Sequence, residues 1–533
     1  MQYMAKIQGE FGKIRSFLWP IHGYELKKLI PMILLLFFIL FTYTVLKDTK
    51  DALIVTARDS GAEVIPFLKF WGVLPGAVIL MLIYAKLSNK LSKPKLFYVS
   101  VVPFIVFFGL FVTVLYPARA HMHPHALCDR LQAALPVGAK GLIAIIRNCT
   151  YSAFYVISEL WGSFSIPVLY WGFANDITTI SESKRFYPLF GLFANFAPIV
   201  SGGLVRWASS IRCNLSSEVD PWQISLNYLM GIVVISGLIV LGIYWWINRY
   251  VLTDPRFYES DRRVSAEEGE GPKLSLKESL RYLLRSRYLG CIAILVISYG
   301  VCINLIETTW ISQLRLAYPD PNAYNMFMGR LSQITGGVTM CIMLFFSGNL
   351  IRRLGWRKVA LVTPGILLFT GMGVFSFVVF KEQLSGFVTH FLGTTPLMVV
   401  VVFGAFQSVL SKSSKYSLFD PTKEMAYIPL DQEQRVKGKL LVDVPLSRGG
   451  KATSSLLQQG LIMTLGSISA VIPYVGMIVL AVIILWITAI YSLNRRFLAF
   501  MRKDKGEEVD GGVLTAQGSA SAISSAHVEV TLN

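Results

Sequence analysis

The chain has 533 residues, of which 54% are hydrophobic and only 15% are charged. This balance is not that of a soluble globular protein, and it predicts an integral membrane protein. The formal charge of +18 at pH 7 does not indicate a nucleic-acid partner, because the basic residues lie between hydrophobic stretches and are not gathered on one soluble face.

Apolar stretches long enough to span a membrane recur along the chain, since about 20 such residues cross about 30 Å of hydrocarbon. We count twelve, with centres near Phe38, Val78, Ile105, Phe154, Ala197, Ser236, Val296, Met340, Gly371, Gly404, Leu465 and Ala481. The first lacks a small-residue cleavage site, so we expect it to remain as a helix and not to be removed as a signal peptide. The sequence therefore predicts an all-α membrane protein of about twelve transmembrane helices.

Lys and Arg are unevenly distributed between alternate connections. The connections after the second, fourth, sixth and eighth predicted helices are basic, whereas those after the third and ninth carry few positive charges or dilute them with His and Asp. Positively charged loops stay on the cytoplasmic side of a membrane. We therefore expect both termini to be cytoplasmic.

The chain contains a weak internal repeat. YAKLSNKLSKPKLFYV, from Tyr84, resembles SGNLIRRLGWRKVALV, from Ser347, at an offset of 263 residues. Two six-helix halves joined by a cytoplasmic connector are the layout of major-facilitator-type transporters. We accordingly predict a cytoplasmic N-terminal segment, two six-helix halves separated by a connector, and a disordered cytoplasmic tail, at 1–28, 29–248, 249–287, 288–496 and 497–533.

The six cysteines and the histidine-rich segment do not indicate a metal site, and no cofactor is predicted. The cysteines form no CxxC pair and have no zinc-site spacing. Cys128 and Cys213 both lie in predicted external loops, so a disulfide between them stays open. In the run His121–His125, no carboxylate or cysteine spacing completes a ligand set, and we interpret it as a polar external loop broken by Pro124.

Charges within or beside the apolar spans are the strongest indication of function, because an ionisable group in hydrocarbon is costly unless it lines a cavity or has a partner. They occur in four places, namely Lys47, Asp48, Lys50 and Asp51 in the first helix, Glu159 in the fourth, Glu307 in the seventh, and Asp420, Lys423 and Glu424 after the tenth. With the repeat offset of 263, Lys50 corresponds to a position close to Glu307, and Glu159 to one next to Lys423. We expect two lysines and two glutamates to face one central pathway, with lysines suited to phosphate oxygens.

Each of these charges also has a structural interpretation. Lys50 can place its ammonium group at the membrane surface at small cost. Lys423 would be an ordinary loop lysine if the tenth helix ended near Ser411. Glu159 and Glu307 are harder to explain in this way, because apolar and aromatic residues surround both of them.

The segments that carry these charges resemble those of the nucleotide translocases of obligate intracellular bacteria and plant plastids, often called ATP/ADP translocases. The most specific are KDTKDALIVTA from Lys47, GAEVIPFLK from Gly61, SELWGS from Ser158, WGFANDIT from Trp171, INLIETTW from Ile303 and FDPTKEMAYIPL from Phe419. The resemblance runs from about Gly12 to Arg496. The opening GKIRSFLWPIHGYELKKLIP is similar to the chlamydial branch, which exchanges host ATP for bacterial ADP and phosphate.

The resemblance implies which residues are critical for transport. Matched motif by motif, they are Lys50, Glu159, Glu307 and Lys423. Members of the family often have Arg at the position of Lys47. Lysine keeps the charge but lacks the bidentate fork of a guanidinium group, which leaves a phosphate-binding role for Lys47 open.

The resemblance also implies a function. The implied protein is an antiporter that exchanges host ATP for internal ADP, with phosphate, across a bacterial inner membrane. It would work as a monomer in the lipid bilayer. Two alternatives stay open. One is proton-coupled net import of nucleoside triphosphates, and the other is a major-facilitator transporter of a different small solute, because fold alone does not fix the substrate.

Four further residues are candidates for contacts with the nucleoside. Adenine needs an aromatic or apolar face, and Tyr155 and Trp310 lie near the relevant charges, although packing in the core or against lipid is the favoured interpretation of both. Asn175 and Asn304 can bond to ribose or to a purine edge. They can also cross-link helices.

Other classes of protein are disfavoured by the motifs that the sequence lacks. SRGGKATS, around Lys451, is the nearest approach to a phosphate-binding GxxxxGK[ST] loop but lacks its first glycine, so an ATP-driven pump is not predicted. A mitochondrial-type carrier would show three repeats of about 100 residues, and this sequence does not show them. The sequence has neither HExxH nor GxSxG, so we do not predict an enzyme.

Overall fold

The computed structural model describes residues 21–211, 220–254, 257, 286–430 and 446–504, and nearly all of them lie in helices. The predicted connector at 249–287 and the predicted disordered tail at 497–533 fall largely outside these residues. The last helix continues past the predicted start of the tail, to Asp504. The predicted all-α membrane fold is confirmed.

Long helices form one bundle in the described part of the chain. In chain order they are α1 (Leu26–Val55), α2 (Val64–Ser88), α3 (Lys93–Leu115), α4 (Cys149–Ile177), α5 (Arg185–Ser210), α6 (Pro221–Val251), α7 (Arg287–Ala317), α8 (Pro321–Ile342), α9 (Arg353–Val379), α10 (Pro396–Ala426), α11 (Ser447–Leu465) and α12 (Ile468–Asp504). We call the end of the bundle where α1 begins the proximal end, and the end where α1 terminates at Val55 the distal end. Short helices between α3 and α4, including His125–Ala134 and Lys140–Arg147, lie at the distal end.

Nine helices of this described part are long and apolar enough to cross a membrane. The bent pair Val137–Arg147 and Cys149–Ile177, whose axes differ by 84°, makes a tenth if it is one span. The other two long helices, α8 and α11, are rich in Asn, Gln and Ser. Such helices are stable in a membrane when their polar side chains face the bundle interior. The number of twelve spans therefore stays a prediction.

The eleventh predicted span was wrongly placed. Its centre was expected near Leu465, but α11 ends at that residue, and the following Gly466 adopts a left-handed conformation with φ of 82°. Glycine ends helices in this way because it has no Cβ atom to clash. Ser454, Ser455 and Gln458 are all buried in the middle of α11, so a search for apolar residues alone passes over the centre of the helix.

The two halves of the bundle pack closely where α5 meets α8. A methyl group added at Gly329 would lie 2.7 Å from the carbonyl oxygen of Gly202, and one added at Gly202 would clash with the carbonyl oxygen of Gly329. The Asn325 side chain donates to Ser209 Oγ at 3.3 Å across the same contact. Small residues allow helix backbones to approach in this way, and van der Waals packing then holds the two halves together.

We expect Gly202→Ala to destabilise the protein by about 1–3 kcal/mol, because backbone atoms of α8 cannot move aside as a flexible side chain could. The measurement is the midpoint of thermal unfolding of the purified protein in detergent. Gly242→Ala on α6 is the matched control, since a methyl group there meets no other atom within 4 Å. Equal midpoints for the two variants would contradict the close packing of α5 on α8.

Candidate functional site

Lys50 is the centre of a charged group in the first half of the bundle. Its Nζ atom lies 2.6 Å from Asp51 Oδ1 and 3.0 Å from Glu159 Oε1 on α4. The same ammonium group sits 4.0 Å from the centroid of the Tyr155 ring. Lys50 is buried, with only 3% of its surface exposed. Two carboxylates and an aromatic face therefore hold this cation inside the bundle, where it would otherwise be costly.

A second charged pair occupies the corresponding position in the other half. Glu307 on α7 accepts a hydrogen bond from Lys412 Nζ on α10 at 2.9 Å. The Glu307 side chain is 24% exposed. In the first half the cation is on the first helix and the carboxylate on the fourth. In the second half this order of charges is reversed.

The end of α1 also reaches the second half of the bundle. The Asp48 side chain is fully buried and accepts a hydrogen bond from Ser332 Oγ on α8 at 2.7 Å. Lys47 Nζ lies 3.8 Å from the other oxygen of the same carboxylate. Asp48 therefore joins α1 to α8 and pairs with Lys47. The closely spaced charges of α1 serve both halves.

Lys69 and Asn304 make a further polar contact between the halves. Lys69 on α2 donates to Oδ1 of Asn304 on α7 at 2.5 Å. Asn304 Nδ2 in turn donates to Ser454 at 2.8 Å and to Ser455 at 3.2 Å, both on α11. The side chain of Asn304 thus cross-links three helices in this conformation.

These charged side chains form one electrostatic group, which we call the interior cluster. Its members are Lys47, Asp48, Lys50, Asp51, Lys69, Glu159, Glu307 and Lys412. The charge of Lys69 acts on both Glu159 and Glu307, and that of Lys47 acts on Glu307. Lysines and carboxylates are equal in number, so the formal charge of the cluster cancels. An anionic ligand can bind to the paired lysines only by taking the place of their carboxylates or by adding to them.

Lys423 does not lie against Glu307. It belongs to the last turn of α10, and its Nζ atom is 3.4 Å from Glu424 Oε1. Lys412 precedes it by 11 residues, which is about 16 Å along a helix. The idea that α10 ends near Ser411 was wrong, because the helix continues through Ala426. Lys423 is therefore a helix residue near the proximal end.

The candidate nucleoside contacts are dispersed in this conformation. Trp310 is buried and donates from Nε1 to the carbonyl oxygen of Val401 at 3.0 Å, with its ring against Gly404. Asn175 accepts a hydrogen bond from Tyr187. It follows Glu159 by 16 residues, or about 24 Å along a helix. Of the four candidates, Tyr155 and Asn304 adjoin the interior cluster.

The histidine-rich segment lies at the distal end. His123 is buried, and its Nε2 is 2.7 Å from Thr150 Oγ1. Burial lowers the pKa of His123 to about 4, so the ring is neutral at neutral pH. Among the described residues, no three His, Cys, Asp or Glu side chains are grouped so that they could hold a metal ion. Cys128 is buried, whereas Cys213 lies outside the described residues, so whether the two cysteines pair stays open.

Two members of the interior cluster, Lys69 and Lys412, were missed by the sequence analysis. Lys412 was overlooked because the charges selected for the tenth span were those of the segment that follows it. Lys69 lies within the GAEVIPFLK segment, where apolar neighbours on both sides suggest only that the segment is buried. The same rule that selected Glu159 and Glu307, a charge flanked by apolar residues in a span, would have found it.

Solved structures with a similar fold are transporters. A bacterial homologue of the iron transporter ferroportin, in an inward-facing state, matches with a TM-score of 0.50 at 14% identity, over 89% of this chain and 99% of that chain. The xylose transporter XylE from E. coli, in a partially occluded inward open conformation, also matches with a TM-score of 0.50, at 11% identity over 86% of this chain and 96% of that chain. The expected major-facilitator-like architecture is thereby confirmed.

Sequence comparison identifies much closer relatives. The chain is 56% identical to ADP,ATP carrier protein 1 of Chlamydia pneumoniae, over 92% of this chain and 95% of that protein. It is 53% identical to ADP,ATP carrier protein 1 of Chlamydia trachomatis, over 97% of both chains. A chloroplastic ADP,ATP carrier protein 1 of Arabidopsis thaliana is 47% identical, over 91% of this chain and 76% of that protein. The family model for the TLC ATP/ADP transporters matches residues 4–497, and the chain therefore belongs to the TLC ATP/ADP transporter family.

Proposed function

We propose that this protein is an antiporter that exchanges external ATP for internal ADP, together with phosphate, across a bacterial inner membrane. The observation that carries the proposal is the interior cluster, in which lysines of both halves belong to one electrostatic group. Lys50 and Lys412 are each held by a carboxylate of a neighbouring helix. A neutral sugar would not require such cations, whereas the phosphates of a nucleotide would. The names of the chlamydial relatives support the same substrates.

The cluster also suggests how the substrate binds. At Lys50 and Lys412, phosphate oxygens approach lysines that already have carboxylate partners, so binding there exchanges one ion pair for another. The carboxylates Glu159 and Glu307 then hold the lysines in position when the site is empty. In this proposal the protein carries its substrate and is not an enzyme, so ATP leaves with its phosphates intact.

Both chain termini are proposed to be cytoplasmic, and the distal end of the bundle external. The basic connections after α2 and α8 support this orientation, since such loops stay inside. The protein is proposed to work as a monomer, with the pathway between its own two halves.

Exchange and proton-coupled import make different predictions. In liposomes that contain the purified protein, we expect uptake of labelled ATP to require ADP or ATP inside. We also expect uptake to resist a protonophore, because one nucleotide replaces another at the interior cluster. Empty liposomes and liposomes that contain adenosine are the controls.

Strong inhibition by the protonophore at constant internal ADP would favour the alternative of proton-coupled net import. Failure of any nucleotide to be taken up by folded protein would instead favour a different solute.

A further inference from the structure

Lys69 is unusual among the lysines of the interior cluster. In the part of the chain that the structure describes, its ammonium group forms no ion pair with a carboxylate within 4.0 Å, and its hydrogen-bond partner is the neutral amide of Asn304. Lys47, Lys50 and Lys412 all have a carboxylate oxygen at 3.8 Å or closer. An interior cation without a carboxylate in direct contact is costly, and its presence points to an anionic ligand.

Local backbone geometry helps to place this lysine. Lys69 lies in the π-helical segment Leu68–Val73 of α2, and such wide turns are frequent at functional sites. Directly beyond it, Trp71 donates to Gln459 Oε1 on α11 at 3.0 Å, and Gln459 donates to the carbonyl oxygen of Pro66 at 2.9 Å. These bonds tie α2 of the first half to α11 of the second. Lys69 therefore lies at the seam between the halves.

A second lysine lies on the other side of this seam. Asn304, which holds Lys69, also bonds Ser454 and Ser455, and both hydroxyl groups donate to the carbonyl oxygen of Lys451, at 2.8 and 2.9 Å. Lys451 is exposed and has no ion-pair partner within the described ranges. Its charge acts on Lys69 and on Glu159. Two cations from opposite halves therefore act on one another and on Glu159, although no carboxylate of the described residues forms an ion pair with either of them.

We propose that Lys69 and Lys451 form the binding site for the polyphosphate of the nucleotide, one lysine from each half, and that Asn304 holds Lys69 in place when no nucleotide is bound. This inference rests on the proposed transport of ATP and ADP. The terminal phosphates supply the anions that both lysines lack, and Lys69 exchanges the amide oxygen of Asn304 for a phosphate oxygen. Lys50 and Lys412 border the site and exchange their carboxylates for phosphate oxygens as the nucleotide binds.

The two lysines also favour exchange of nucleotides over a conformational change of the empty carrier. If the halves closed around an empty site, two like charges would be enclosed together at low dielectric, which is unfavourable. A bound polyphosphate removes this barrier by neutralising both. The carrier then changes conformation with nucleotide bound far more readily than without it.

Binding of ATP, ADP and AMP to the purified protein tests the proposal, with affinity measured by calorimetry in detergent. In Lys69→Gln and Lys451→Gln we expect the affinity for ATP to fall by on the order of tenfold or more, because one charge-assisted contact is lost. Affinity for AMP should change less than about threefold. Lys69→Arg should retain most of the preference for ATP over AMP. Lys90→Gln, at an exposed lysine between α2 and α3, should have no effect.

Asn304→Ala separates phosphate binding from a role in helix packing. If Lys69 only cross-links helices, Asn304→Ala should reproduce Lys69→Gln, with ATP, ADP and AMP affected equally, and that result would overturn the proposal. If instead the wild-type protein binds no nucleotide, the proposed function itself fails.

Chemical footprinting provides a test without any substitution. We expect ATP, but not adenosine, to protect Lys69 and Lys451 of the wild-type protein from an amine-reactive reagent, as read by mass spectrometry. Lys90 serves as the internal reference. ATP binding without protection of either lysine would contradict the phosphate site even if the glutamine variants failed to fold.

Discussion

Lys50→Gln is expected to lower ATP/ADP exchange by at least about a hundredfold. Lys50 is the cation shared by Asp51 and Glu159, at 2.6 and 3.0 Å. Charge-assisted hydrogen bonds contribute roughly 1.5–3 kcal/mol each. Loss of two of them therefore corresponds to a change of about a hundredfold or more in rate or affinity. Without the lysine, two neighbouring carboxylates would repel both each other and an incoming phosphate. The measurement is the initial rate of labelled ATP uptake into liposomes loaded with ADP.

Loss of a buried cation also affects folding, so a control variant must separate loss of folded protein from loss of exchange. Lys50→Gln with Glu159→Gln removes both members of the pair, so we expect the double variant to regain abundance and thermal stability without regaining exchange. Lys90→Gln is the surface control. Unchanged exchange by Lys50→Gln at normal abundance would mean that the pair is structural only.

The fold was largely predictable because its main signals are long apolar stretches and alternating basic connections. The position of a span was predicted wrongly where a membrane helix carries polar side chains that face other helices. In α11, the buried Ser454, Ser455 and Gln458 face other helices and not lipid, so the polar centre of a genuine helix looked like a loop. Apolar content reports which helices face lipid. It does not report the helices that line an interior made of polar side chains.

Some residues of the site could be predicted from the sequence, and others could not. Lys50 and Glu159 could be selected from their apolar surroundings, and the structure brings them together. The partner of Glu307 could not be selected in this way. The repeat offset matched Glu159 to a position next to Lys423, but side-chain direction depends on helical rotation, and a shift of a few residues turns a side chain away. The π-helical segment Lys415–Phe419 further changes the rotation of α10 between Lys412 and Lys423.

Lys412 and Lys423 therefore allow a direct comparison on one helix. Lys412 Nζ lies 2.9 Å from Glu307 Oε1, and both side chains are partly exposed. We expect Lys412→Gln to reduce exchange by on the order of tenfold or more, because Glu307 then lacks its cation and repels phosphate. Glu307→Gln in the same protein should cause little further loss, since members of one pair are not additive.

Lys423→Gln is expected to reduce exchange by a similar factor of on the order of ten, but by a different route. Lys423 lies near the proximal end, beside Glu424, where nucleotide passing to or from the interior cluster would meet it. Its loss should therefore slow exchange while leaving the equilibrium affinity for ATP within about threefold of wild type. Lys412→Gln should weaken that affinity. Measuring both quantities for each variant, at matched abundance, separates a lysine of the binding site from one of the pathway. If Lys423→Gln changes neither rate nor affinity, then phosphate does not pass along the last turn of α10, and only Lys412 remains as the contribution of this helix.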